Sequence, residues 1–469
     1  MVKIYDWIMK LASGILAAIC TGMLIIALGV KAVYCYDDSP TFVQNGVWDA
    51  ITLSVIIVVL LLLGIHWRDI LNRHISAKCS IAIYCVIAIL FIVLVPLKPF
   101  SDMLQIYDGA VEVAKGNLAY FHQNAYFTQY PNNMLITLMY GGILFFLPKN
   151  AIVLKLLNIL MVVGTVIISE KILQIYWKNS YRNLFYIYGL SLVSALLYVN
   201  HVYTDLIFVF FSLLGIYLYL KNPERIWYII AIFGVLYFIR PQAAFYVIAM
   251  VIHYLIKHKA GYARKIMHVL CGVVLFFGCR YVVTYGIETP IIGDIDHSMP
   301  VASYVYMAFN EEEFGFQDGS HDLNRKFSDV VERLQGYDKE TLLKIIGKKL
   351  EWTWTEGTYQ AQRYAFGENS DTQDKFEYAT PVTGHCLDSG QRWRNILDSF
   401  MRNQYLILFA LTIPMFWKKN RGKYDIFVML FAANMVFYVF WEIKSRYLLP
   451  LYPLMFIASF ITMDNMAQQ

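Results

Sequence analysis

Pro131-Asn132-Asn133-Met134-Leu135-Ile136-Thr137-Leu138-Met139-Tyr140-Gly141-Gly142-Ile143-Leu144-Phe145-Phe146-Leu147-Pro148 is the stretch on which the reading of this chain turns. It carries no charge and comes close to the ~20 apolar residues that cross a bilayer as a helix. Whether it crosses decides on which side every later loop lies. Twelve other stretches read as spans: 11–33, 49–66, 79–97, 151–172, 184–199, 205–220, 225–240, 242–257, 264–285, 403–418, 424–441 and 447–463. The short basic loops are Arg68 to Lys78, Lys178 to Arg182, Lys221 to Arg225, Lys257 to Lys265 and Lys418 to Lys423. If 131–148 stays on one face, all five fall together with both chain ends, on the side that retains Lys and Arg. If it crosses, the later basic loops part from the first. The expectation is a re-entrant or interfacial helix on the outer face, which is tolerated where the backbone is buried in protein or lines a cavity.

The rest of the composition agrees. Of 469 residues, 58% are apolar or aromatic and 16% are charged, with a mean hydropathy of +0.49. Soluble chains run at ~45–50% apolar and ~25% charged. Disorder is excluded by the wealth of aromatics, and a soluble enzyme by the length of the apolar runs. A net charge of +5 spread over short loops offers no nucleic-acid patch. Seven cysteines without metal-ligand spacing argue against a zinc site. The first apolar run is too long for a cleaved signal and reads as a retained helix. Residues 286–400 hold 20 Asp+Glu against 11 Lys+Arg, a net of −9, which leaves the remainder at +14. The expected organisation is therefore three parts: a membrane core 1–285, including an outer loop 98–150; an acidic extracytoplasmic cap 286–400, with helical patterns at Asp322 to Leu334 and Lys339 to Trp354; and closing membrane helices 401–469. The fold class is all-α and polytopic.

Charges at the ends of apolar runs carry the functional signal, because an ionisable group in or beside a membrane helix is expensive. Under this topology they converge on the outer face. Asp102, Asp108 and Glu112 follow the third span, and positions 102, 105, 108–109 and 112 fall three to four apart, near one face of a helix. Asp102 reads either as the opening of a surface helix or as a carboxylate at a cavity mouth, available as a general base. Tyr130, Asn132 and Asn133 open the non-spanning segment and offer amides to a sugar ring, or else begin a polar helix. Tyr203 and Asp205 stand at the next outer turn, Asp205 as a cap, a hydroxyl ligand, or a partner of His201 or an arginine. Arg240, with Gln242 after it, reads as a snorkelling side chain or a fork-shaped phosphate ligand. Glu442, Lys444, Arg446 and Tyr447 close the set; a Lys/Arg pair on the outer face runs against the orientation bias and favours function. Asp294-Ile295-Asp296 looks like a metal-binding pair but reads as an acidic loop.

Taken in order, Ser101-Asp102, Gly116-Asn117, Tyr130 to Asn133, Tyr203-Thr204-Asp205, Arg240-Pro241-Gln242 and Glu442 to Pro450 resemble the multi-pass glycosyltransferases of the GT-C fold. The closer branch holds the protein O-mannosyltransferases and the lipid A aminoarabinose transferases. The resemblance covers about 95–260 and 436–463 and implies a bundle of about twelve spans with a juxtamembrane helix over the cavity. It implies Asp102 as the first-loop carboxylate at the reaction centre, Asp205 as a second outer aspartate, Arg240 as the cation on the lipid phosphate, and Arg446 as the late arginine beside a Tyr. Two features depart from relatives: the first carboxylate follows the third span, and Asp102 is followed by Met103 where relatives carry Glu.

The expected activity is transfer of a sugar from a polyprenyl-phosphate donor to a glycan, lipid or protein acceptor outside a bacterial plasma membrane. No cofactor or metal is called for. Two other classes compete. A polysaccharide polymerase or ligase would lean on Arg392 and Arg394. A transporter or flippase would want two related halves, which the sequence lacks.

Overall fold

The computed structural model describes residues 2–33, 41–62, 68–177, 181–293, 298–315, 324–367, 373–386, 392–417 and 424–467. Asp294 and Asp296 lie outside them. The apolar runs become helices because a backbone in hydrocarbon must satisfy its own hydrogen bonds. Two short strands, Val30–Val33 and Thr41–Gln44, pair antiparallel with Val30 opposite Gln44 and Val33 opposite Thr41. Nearly everything else described is helix, and the chain is an all-α membrane protein.

The expected twelve spans are not what forms. Among the described residues, five helices are long and apolar enough to cross: Tyr5–Gly29, Ala77–Leu94, Ala151–Tyr176, Tyr262–Ile292 and Ser445–Met463. A sixth arises if Arg182–Leu190 and Val193–Asn200, bent by 60° at their junction, count as one span. Several of the other runs form shorter helices among the described residues. The expected 205–220 stretch forms Asp205–Lys221, 17 residues long, and 225–240 yields only the 11 residues Ile226–Leu236. The 403–418 stretch is absorbed into Arg392–Thr412, which begins with two polar turns. Val47–Leu62, Ala243–Lys257 and Asp425–Val439 are apolar but of 15–16 residues.

Residues 131–148 begin with a 3-10 turn, Pro131–Asn133, followed by the helix Met134–Phe146. Thirteen residues rise only ~20 Å, short of the ~30 Å hydrocarbon core. The helix lies instead against Ser101–Lys115. Two glycines permit the contact. A Cβ on Gly109 would sit 2.8 Å from the Thr137 methyl, and one on Gly141 would collide with the Val113 side chain. Ser101–Lys115 ends in a left-handed Gly116, whose N–H and that of Asn117 satisfy the Val113 and Glu112 carbonyls.

The described parts of 286–400 form helices, among them Val301–Ala308, Phe327–Gln335, Lys339–Thr355 and Ala361–Phe366; the helix expected from Asp322 begins at Phe327. It is tied to the bundle by backbone contacts: Leu97 bridges Phe376, and the Ile443 N–H donates to the Gly315 carbonyl at 2.9 Å. Trp354, Tyr359 and Phe366 join the main hydrophobic core, so this stretch is anchored by burial as well.

Candidate active site

Five connections, two helices of the 286–400 stretch and the end of the Tyr262–Ile292 helix meet at one cavity of about 650 Å³. The Ser101 end of Ser101–Lys115 enters first. Ser101 has φ of 49°, a left-handed conformation that costs a non-glycine residue ~1–2 kcal/mol. Such strain persists only where surroundings impose it, and it concentrates at functional sites. Here it accompanies Asp102 at the cavity wall. The Asp102 carboxylate accepts no hydrogen bond from the described residues, and its field reaches Tyr126, Tyr203, Tyr304 and Lys444.

The second wall is the start of the Pro131–Phe146 segment, with Tyr130, Asn132 and Asn133. The Asn133 amide donates to the Tyr126 hydroxyl at 2.7 Å, and Tyr126 is in turn bonded to Tyr203. Burial, with the charge of Asp102 and contact with Tyr203, holds the Tyr126 phenol protonated well above its usual range.

The third wall is the turn before Asp205. It is fixed from several sides. Asn158 donates to the Val199 and His201 carbonyls at 3.2 and 2.9 Å, Asn200 to the Val95 and Ala365 carbonyls at 3.0 and 3.2 Å, and Tyr140 to the Tyr203 carbonyl at 2.9 Å. His201 and Tyr203 line the cavity; Asp205 does not. Asp205 is buried behind them, bonded to His201 Nε2 at 3.0 Å and paired with Arg240. Burial pulls the His201 imidazole below its ordinary pKa, with the Asp205 bond opposing and Arg446 and Arg240 adding to the fall.

The last elements bring the cations. Arg240 and Gln242 come from the break between Ile226–Leu236 and Ala243–Lys257, and Gln242 is bonded to Asn434. Glu442, Lys444, Arg446 and Tyr447 come from the connection after Asp425–Val439. Lys444 lies 3.6 Å from Glu442, and Glu442 accepts from the Tyr447 hydroxyl. Burial lowers the Lys444 pKa, with Glu442 opposing. Arg446 makes no ion pair with a described carboxylate. Its guanidinium lies among three aromatic rings instead, 5.4 Å from Tyr203, 5.0 Å from Tyr364 and 5.5 Å from Tyr447, and its Nε has no partner. Arginine suits such rings better than lysine, being planar and weakly hydrated.

The structure thus brings together eleven of the thirteen expected site residues. Asp205 is displaced to a supporting position. Asp108 is excluded for a geometric reason: six residues beyond Asp102 rotate the side chain by about 600°, which leaves it about 120° off the cavity-facing direction. It sits half-buried outside the cavity, its carboxyl pKa raised by burial and by Glu112.

Other lining residues had no motif to announce them. Arg363 and Tyr364 come from Ala361–Phe366, oriented by left-handed Tyr359 and Gln360 at φ of 56° and 55°. Tyr304 comes from Val301–Ala308 and stacks on Trp441 at 4.4 Å. Arg280 and Glu288 come from the C-terminal part of the Tyr262–Ile292 helix. These two did leave a signal, since each interrupts an apolar run. Arg394 donates to Gln362 at 2.6 Å and does not line the cavity, and the Arg392 side chain lies outside the described residues. Among the described residues no group of three His, Cys, Asp or Glu side chains has metal-binding spacing. No protein-family model matches the chain, and no curated protein and no solved structure matches it either.

Proposed function

We propose that this protein is a membrane glycosyltransferase that moves a sugar from a polyprenyl-phosphate donor to an extracytoplasmic glycan, lipid or protein acceptor. The observation that carries the reading is one cavity in which an unbonded carboxylate, Asp102, shares walls with a caged arginine, Arg446, amid hydroxyl- and amide-bearing side chains. A sugar needs donors, acceptors and aromatic faces together; a leaving phosphate needs a cation not already neutralised. Arg240 is paired with Asp205 and Lys444 lies near Glu442, so Arg446 is the principal anchor for the phosphate.

In the proposed step the acceptor oxygen attacks the anomeric carbon while Asp102 takes its proton. The bond from that carbon to the phosphate oxygen breaks, and the electron pair leaves with the phosphate. Arg446, supported by Arg240 and Lys444, stabilises the charge that develops there. General-base help of this kind is worth ~10²–10⁴ in rate. A single displacement inverts the anomer. Asn132, Asn133, Tyr130, Tyr203 and Gln242 orient the sugar. The cavity faces outward in a bacterial plasma membrane, both chain ends are cytoplasmic, and the 286–400 stretch covers the site and selects the acceptor. The five long helices cross, and the bent pair Arg182–Leu190 and Val193–Asn200 makes a sixth crossing of a GT-C-like bundle. No cofactor enters the scheme.

The test is release of free polyprenyl phosphate by the purified protein from a panel of polyprenyl-phosphate sugars, with a membrane lipid extract as acceptor. Asp102→Asn is expected to reduce release by about 10²-fold or more with unchanged expression and thermal stability. Full turnover by that variant removes Asp102 from the mechanism, and silence of the wild type on every donor removes the function.

A further inference from the structure

The helix that begins at Tyr262 is the least buried of the long helices, with 11% of its most apolar window inside the protein. Its outward face is apolar, as Val274, Phe277 and Tyr281 show. Near its end the pattern changes. Residues Thr284–Glu288 form a π-helical turn before Thr289–Ile292 resumes. A π turn inserts one residue into the helical repeat, which rotates the residues beyond it by about 100°, and such turns recur at functional sites. Glu288 is the residue at the end of it. It is 3% exposed and lines the cavity. One carboxylate oxygen accepts from the Thr284 hydroxyl at 3.2 Å; the other, Oε1, is buried without a partner. Arg280, two turns earlier, lines the same cavity, lies 4.6 Å over the Tyr237 ring, and has a buried Nε without a partner. A carboxylate oxygen left unbonded inside an otherwise lipid-facing helix is costly, and a ligand hydroxyl would relieve it.

We propose that Glu288 and Arg280 form a second subsite of the cavity, one that recognises carbohydrate hydroxyls. The inference rests on the glycosyl-transfer reading and deepens it. An acceptor and a donor that line one cavity, close enough for the Arg280 charge to act on Glu288, select a group that is both. A phosphate is repelled by Glu288 and a simple cation by Arg280. A neutral polyol gives an O–H to Glu288 Oε1 and lone pairs to Arg280. The sugar can belong to the donor or to the acceptor molecule; both present the same chemistry here.

The experiment uses the full chain in nanodiscs and two probes, followed by tryptophan fluorescence: a panel of methyl glycosides, and farnesyl phosphate. Glu288→Gln and Arg280→Met are each expected to weaken glycoside binding by about tenfold or more. Farnesyl phosphate binding stays unchanged and certifies the fold, and Glu288→Asp recovers part of the loss. In turnover with a polyprenyl-phosphate sugar, Glu288→Gln raises KM by about tenfold with little change in kcat. A raised KM for the donor identifies the donor sugar as the occupant, and a raised KM for the acceptor identifies the acceptor. Glycoside binding unchanged in both variants overturns the subsite, as does a wild type that binds no glycoside. A wild type that binds glycosides through Glu288 but releases no polyprenyl phosphate overturns the transfer reading instead.

Discussion

Asp205 illustrates what a single charged residue discloses before its surroundings are known. Its place at the end of an apolar run announced that burying it must bring something in return. Its direction could not be read, because that depends on Arg240 arriving from 35 positions away. In the fold it supports Arg240 and His201 from behind the cavity wall. Removing one member of a buried ion pair leaves an uncompensated charge and costs ~3–5 kcal/mol, whereas replacing both by apolar groups is often neutral. Asp205→Asn is therefore expected to lower the melting temperature and to reduce turnover. Asp205→Asn combined with Arg240→Met should regain most of the stability but not the turnover. If the double variant melts no higher than the single one, Asp205 does not act through Arg240. Glu288 and Arg363 were harder to foresee than Asp205. The first depends on a π turn and the second on two left-handed residues, and neither conformation has a periodic pattern to betray it.

Among the elements, Lys339–Thr355 shows how the cap is held to the site. Lys349 is buried on it and donates to three carbonyls, those of Ala308, Val439 and Trp441, each at 2.9 Å. One side chain thus joins two cap helices to the connection that carries Trp441 and Glu442. Burial pushes the Lys349 pKa down to about 7, with Glu442 opposing. The unfolded value is about 10.4. Between the two the unfolded chain binds the proton and the folded chain does not, leaving an amine that donates to two of the three carbonyls, so stability from this group rises with pH; it is fully present above the unfolded value and lost as pH falls to about 7. The melting temperature of the wild type should gain on that of Lys349→Met as pH goes from 7 to 9. A gap that stays constant over that range would mean that Lys349 stays protonated in the fold. The helical pattern of this stretch was legible in the sequence, since an amphipathic repeat needs only local spacing. Its docking was not, because lysines facing water and lysines facing carbonyls look alike along the chain.

At the scale of the whole molecule, the fold class was legible and the count of spans was not. Apolar content adds residue by residue, so helices in a membrane follow from composition. Breaks do not add. The 60° bend between Arg182–Leu190 and Val193–Asn200, and the shortening of Ile226–Leu236, depend on what each segment packs against. Sidedness therefore rests on charge, and 131–148 is where it can be tested. Met134–Phe146 is too short to cross alone and is packed on Ser101–Lys115, so the residues before and after it should share one side. In a background without native cysteines, Asn117→Cys and Asn150→Cys should both react with a membrane-impermeant maleimide added outside intact cells. Asn222→Cys, in the basic loop Lys221 to Arg225, should react only after the membrane is opened. Labelling of positions 117 and 150 from opposite sides would mean that 131–148 crosses. The basic loops beyond it would then lie outside, and Asp102 and Arg446 would approach the shared cavity only if another segment failed to cross in its place.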